Sequence, residues 1–143
     1  MTSDPNGRSS PARFLDAVPP MIGVLDDDAS IVRALTRLLR AVGFSVRGFT
    51  SGEDLLAWDG LETLDCLIVD VHLGGLTGFD VQDRIAAMRS ALPVIFITAH
   101  DDAATSERAR RNGDGEYLRK PFDESALIGA IHTALERQRT LYP

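Results

Sequence analysis

The stretch DCLIVDVHL (65–73) holds an apolar run, Cys66 to Val69, closed by a single carboxylate, Asp70. A strand that is apolar without alternation has to be covered on both faces, as the central strands of a parallel sheet are. Ending it on an acid puts charge at the carboxyl end of that strand, where wound sheets bind their ligands. Outward from this run, MIGVL (21–25) and PVIFIT (93–98) have the same nearly continuous character. FSVRGF (44–49) and EYLRK (116–120) carry more polarity and fit edge or near-edge strands. Pro93 opens its run, a position where a missing backbone donor is tolerated.

Helical patterns separate these runs. Ile31, Leu35, Leu38 and Val42 recur at helical spacing with Arg33, Arg37 and Arg40 between them; Ser30 is a candidate cap and Gly43 marks the exit. Ser51 followed by Asp54 resembles a capping box and opens a helix through Leu55, Leu56 and Trp58. The pattern predicts a third helix over 79–88, presenting Phe79, Val81, Ile85 and Met88. It predicts a polar, Ala-rich helix with a thin apolar face over 102–112, and a last helix from near Asp123 that buries Leu127, Ile128, Ile131 and Leu135. Strand and helix alternate throughout, which predicts a three-layer α/β domain with right-handed crossovers.

Composition sets the frame. The chain has 143 residues, 44% hydrophobic and 25% charged, ordinary for one globular domain. Residues 1–20, with Pro5, Pro11, Pro19 and Pro20, read as a flexible or loosely docked N-terminal tail; the domain is expected over 21–139, with a C-terminal tail at 140–143. The tail lacks a signal-peptide pattern, and no apolar run approaches the roughly 20 residues that span a bilayer, so a cytoplasmic protein without membrane contact is expected. Cys66, the single cysteine, reads as a buried small hydrophobe. A net charge of −6 argues against direct nucleic-acid binding by this chain.

The polar residues at the predicted strand ends make chemical sense together. Asp26, Asp27 and Asp28 follow the first strand, Asp70 ends the third, Thr98 the fourth and Lys120 the fifth. Asp26 and Asp27 are the better pair for a shared pocket, since Asp28 falls in the first turn of the next helix. Converging carboxylates repel one another unless a cation intervenes. Mg²⁺ suits an all-oxygen set, whereas neither a Cys/His zinc set nor a calcium-loop spacing is present. Asp70 is then the natural nucleophile toward phosphorus, with Lys120 and Thr98 contacting phosphoryl oxygens. Taken singly, each residue has an ordinary alternative: the acidic triplet as solvated surface, Thr98 as a strand residue, Lys120 as a surface lysine, Tyr117 as partial core.

The segments VLDDD (24–28), DCLIVDVHL (65–73), PVIFITAH (93–100) and EYLRKPF (116–122) strongly resemble the receiver domain of bacterial two-component response regulators, in the style of the nitrogen-fixation-type transcriptional branch. The resemblance implies a flavodoxin-like (βα)5 fold with strand order 2-1-3-4-5. It implies Asp70 as phosphoacceptor, Asp26, Asp27, Asp70 and the backbone carbonyl of His72 as ligands of Mg²⁺, and Thr98 and Lys120 as the phosphoryl-contacting residues. Thr98 with Tyr117 matches the family's switch pair, and Lys120–Pro121 its cis peptide. His72 and His100 fall where they could set the lifetime of the phosphorylated state. Two departures stand out: Gly74 occupies the family's proline position after the acceptor, and Asn112-Gly113-Asp114 replaces an Ala-Gly-Ala pattern.

The expected function is a phosphoacceptor response regulator. It would be phosphorylated by a sensor histidine kinase and would signal through a histidine phosphotransfer protein, a downstream regulator or a phosphorylation-dependent homodimer. With only 140–143 beyond the last predicted helix, a stand-alone receiver is the first expectation. The isolated receiver part of a longer DNA-binding transcriptional regulator is the alternative, and a phosphomonoester-processing enzyme a further one. Self-phosphorylation from a phosphodonor and autodephosphorylation are expected, without a conventional external substrate.

Overall fold

The computed structural model describes residues 18–88, 91–99, 107–108 and 116–141. Five parallel strands, β1 (Met21–Leu25), β2 (Ser45–Phe49), β3 (Cys66–Asp70), β4 (Val94–Thr98) and β5 (Glu116–Arg119), form one sheet in the order β2-β1-β3-β4-β5. The three continuous apolar runs are therefore the three inner strands, and the two more polar runs are the edges. The register sets Leu25 beside Val69 and Asp70 beside Ile97, so the carboxyl ends of β1, β3 and β4 finish together.

Alternate residues of each inner strand feed two separate cores. Leu67, Val69 and Phe96 join Leu55, Phe79, Val81 and Ile85 on one face. Ile22, Val24, Ile68, Ile95 and Ile97 join Leu35, Leu39, Leu127 and Ile131 on the other. Helices α2 (Gly52–Ala57) and α3 (Gly78–Met88) thus cover the first face, and α1 (Ala29–Ala41) and α4 (Glu124–Leu141) the second. Full burial of each Leu or Ile is worth about 1.5–3 kcal/mol, so these two layers fix which helix lies on which face. On α4 the small residues Ala130 and Ala134 are buried beside Leu127 and Ile131, while Ile128 and Leu135 are only partly covered.

Helix ends account for most differences from the sequence reading. Ser30 is not the cap of α1: Asp28 is, its carboxylate accepting from the Ser30 amide at 2.9 Å and the Ser30 hydroxyl at 2.6 Å. Val42 leaves the apolar stripe to become the C-cap and is exposed, and Gly43 follows at φ 104°, a left-handed conformation that glycine adopts without penalty. Ser51 caps α2 as expected, its hydroxyl accepting from the Asp54 amide at 3.0 Å. Trp58 lies one residue past that helix, its ring 5.3 Å from Phe49. The expected helix over 102–112 falls largely outside the described residues; of it, residues 107–108 are helical.

Candidate functional site

Among the described residues the buried polar side chains are Asp26, Asp70 and Thr98, all at the carboxyl end of the sheet. Polar groups are buried only where hydrogen bonds or opposite charge compensate them, so their gathering at one end marks that end as chemically distinct. The Asp26 amide still bonds the Phe49 carbonyl at 3.2 Å, after which the chain turns away from the sheet. The turn is held by the Asp28 amide, which donates to Asp26 Oδ1 at 2.9 Å. This bend brings Asp27 round beside Asp26 and sends Asp28 off to cap α1.

One carboxylate oxygen each from Asp26, Asp27 and Asp70 lies within 4.8 Å of the others, with Asp27 exposed and the other two buried. Lys120 reaches in from the end of β5, its Nζ at 3.2 Å from Asp26 Oδ2 and 3.6 Å from Asp70 Oδ2. Its backbone is fixed by the Lys120 amide donating to the Thr98 carbonyl at 2.7 Å, and the Lys120–Pro121 bond is cis. The His72 amide donates to Asp70 Oδ1 at 3.0 Å, which aims that carboxylate and pins the loop that follows it.

Burial pushes the Asp70 carboxyl above the usual carboxylate range, and the neighbouring charges of Asp26 and Asp27 add to this. The His72 amide and the Lys120 ammonium act in the opposite direction. The group is thus an acid whose charged form is strained by its setting and relieved by any added cation. An all-oxygen set of three converging carboxylates, one of them open to solvent, fits a hard divalent ion that keeps several waters. The same residues could neutralise and orient the oxygens of a phosphoryl group delivered to Asp70.

The geometry brings Asp26, Asp27, Asp70 and Lys120 together as the sequence predicts. Thr98 ends β4 beside them, fully buried. Tyr117, opposite Phe96 in the β4–β5 register, is half-buried against the core that contains Phe79 and Phe96. The side chain of His72 is exposed. His100 lies outside the described residues, as do Asn112, Gly113 and Asp114. Gly74 comes close to the pocket: a Cβ there would stand 3.7 Å from Asp27 Oδ2, ordinary contact.

The sequence reading missed two features of the loop after Asp70. A Cβ on Gly78 would stand 2.6 Å from the Asp70 carbonyl oxygen and 3.0 Å from Val71 Cα, while the Gly78 amide bonds the Val71 carbonyl at 2.9 Å. Only glycine lets α3 begin directly against the backbone of Asp70 and Val71. Just before it, the Thr77 amide donates to Asp80 Oδ2 at 3.1 Å and the Asp80 amide to Thr77 Oγ1 at 3.0 Å. This reciprocal cap was visible in the sequence as Thr-x-x-Asp.

The family model described as "Response regulator receiver domain" matches residues 22–132. Nodulation protein W of Bradyrhizobium diazoefficiens is 39% identical over 119 residues, covering 83% of this chain and 52% of that protein. Transcriptional regulatory protein FixJ of the same organism is 33% identical over 117 residues, covering 81% of this chain and 57% of its own length. The chain therefore spans about half the length of these curated relatives. Among solved structures, a response regulator receiver protein from Burkholderia phymatum is 45% identical at a TM-score of 0.71, covering 82% of this chain and 95% of that one. A receiver domain protein from Clostridium thermocellum superposes at a TM-score of 0.79 with 29% identity, covering 85% of this chain and 98% of that one.

Proposed function

The chain belongs to the response regulator receiver domain family, and from that membership we propose that Asp70 is its phosphoacceptor, charged by a sensor histidine kinase in two-component signal transduction. The observation that carries this reading is the ammonium of Lys120, placed between the buried carboxylates of Asp26 and Asp70. An Asp70 oxygen attacks the phosphorus of a phosphohistidine; the P–N bond breaks, the imidazole keeps the electron pair and takes up a proton, and an aspartyl-phosphate forms. Asp26, Asp27, Asp70 and the His72 carbonyl would hold Mg²⁺, which when bound supplies positive charge to the transferring oxygens. Lys120, freed from its carboxylate partners, pairs with one phosphoryl oxygen, and the Thr98 hydroxyl donates to another. The inward move of Thr98 leaves room for Tyr117, half-buried beside Phe96, to turn further inward.

Incubation with Mg²⁺ and a small acyl phosphate, followed by intact-mass analysis, tests this directly. The parent is expected to gain one phosphoryl group and Asp70→Asn none; stoichiometric labelling of the variant as an acyl phosphate would remove Asp70 from the role. A second reading is favoured by coverage: the match takes up only about half of relatives with names such as transcriptional regulatory protein. In that reading the receiver governs a further domain, and the gene sequence past the codon for Pro143 distinguishes the two. Among the described residues no helix is long and apolar enough to cross a membrane.

A further inference from the structure

Arg108 is joined to α3 by two contacts of different kinds. Its guanidinium lies 4.8 Å from the centroid of the Phe79 ring, and its Nη2 is 3.3 Å from Asp83 Oδ2. Phe79 and Asp83 are four residues apart, so one planar cation spans a full turn of the helix. That turn is the one whose preceding residue, Gly78, abuts the backbone of Asp70 and Val71. Phe79 is itself buried, with its ring 4.7 Å from that of Phe96, the residue paired with Tyr117 across β4 and β5. Phe79 thus sits between the two ends of the signalling path: its chain neighbour Gly78 abuts the backbone of Asp70, and its ring packs on Phe96 of the aromatic switch.

We propose that Arg108 is a positioning residue that restrains phosphoryl transfer, clamping the first turns of α3 in the arrangement that the unphosphorylated acceptor loop adopts. The inference rests on Asp70 being the phosphoacceptor. An ion pair with side chains 41% and 62% exposed contributes little by itself. The cation held over an aromatic face adds to it, and a guanidinium can serve both partners where a point charge serves one well. Rearrangement of the Asp70 loop, or deeper burial of Tyr117 from its half-buried place beside Phe96, displaces Phe79 and loosens both contacts. The clamp therefore favours the free state and lowers the fraction of molecules ready to accept phosphate.

The sign of the effect separates this clamp from simple electrostatics. The chain carries 21 acidic and 15 basic residues, and its phosphodonor is an anion. If Arg108 served only to attract the donor, removing it would slow phosphorylation. Loss of the clamp makes it faster. The test is a time course of intact mass with Mg²⁺ and a small acyl phosphate for the parent, Arg108→Ala, Arg108→Lys and Asp83→Asn, with hydrogen exchange of α3 measured on the unphosphorylated proteins. Arg108→Ala should be phosphorylated about threefold to fivefold faster, and Asp83→Asn about twofold faster. Arg108→Lys, which keeps the charge, should recover part of the slow parent rate, and the α3 amides should exchange faster in Arg108→Ala. An unchanged or slower rate in Arg108→Ala overturns the clamp while leaving Asp70 as acceptor. If the parent takes up no phosphoryl group, the acceptor assignment fails separately, and unchanged α3 exchange in Arg108→Ala then rejects the clamp as well.

Discussion

At the scale of the residue, the Asp70 carboxylate is held in a setting that disfavours its charge. Its folded pKa is raised by burial first and by Asp26 and Asp27 second, so the folded protein binds that proton more tightly than the unfolded chain does. For this group, stability is greatest below the ordinary carboxylate value near 4 and falls as pH rises through the elevated folded value. A constant penalty remains at neutral pH. Asp70→Asn removes it with little change of shape. In metal-free buffer at pH 7 the variant should melt at a higher temperature than the parent, and the gap should close as pH falls to about 4. Carboxylates away from this pocket are common to both proteins and cancel in the difference. A variant that melts lower than the parent at pH 7 would mean that the Lys120 contact outweighs burial.

At the scale of the element, the meeting of β3 with α3 depends on Gly78. A methyl group there would press on the Asp70 carbonyl oxygen and Val71 Cα, both backbone atoms that no rotamer change can move aside. Gly78→Ala must shift either the helix or the acceptor strand, at a cost of about 1–3 kcal/mol. Denaturant melts should show that loss, and phosphorylation from an acyl phosphate should slow, because the displaced backbone is that of Asp70, the proposed acceptor. Gly74→Ala is the control: its added Cβ would meet Asp27 only at van der Waals distance, so stability should stay within about 0.5 kcal/mol of the parent. If the two variants were equally stable, the close approach at Gly78 would not matter energetically.

At the scale of the whole molecule, the acidic cluster is brought together from the ends of two strands far apart in the chain, β1 and β3, so a cation bound there bonds to the folded state alone. Mg²⁺ should raise the melting temperature, by an amount equivalent to about 2.7 kcal/mol at a hundredfold excess over its dissociation constant. The rise should shrink in Asp27→Asn, since the exposed Asp27 is one of the three carboxylates that would hold the ion. An equal rise in the parent and in Asp27→Asn would place the ion elsewhere.

The continuous apolar runs at 21–25, 66–70 and 94–98 determined which strands are inner, because only burial on both faces accounts for them, and the alternating chain order determined the α/β class. The acids and the lysine at the strand ends were legible too, since topology sends every carboxyl end of a parallel sheet to one side. Other features depend on distances between residues far apart in the chain, which no local pattern encodes. The sequence already separated Asp28 from the Asp26–Asp27 pair, but the tertiary structure alone decided that Asp28 is the cap of α1 and not a residue of its first turn, because the bend after Leu25 is set by bonds to the Phe49 carbonyl and Asp26 carboxylate. It alone decided that Gly78 must be glycine and that Arg108 reaches the Phe79 ring. Those are matters of ångströms between packed surfaces, and they exist only once the helices have settled on the sheet.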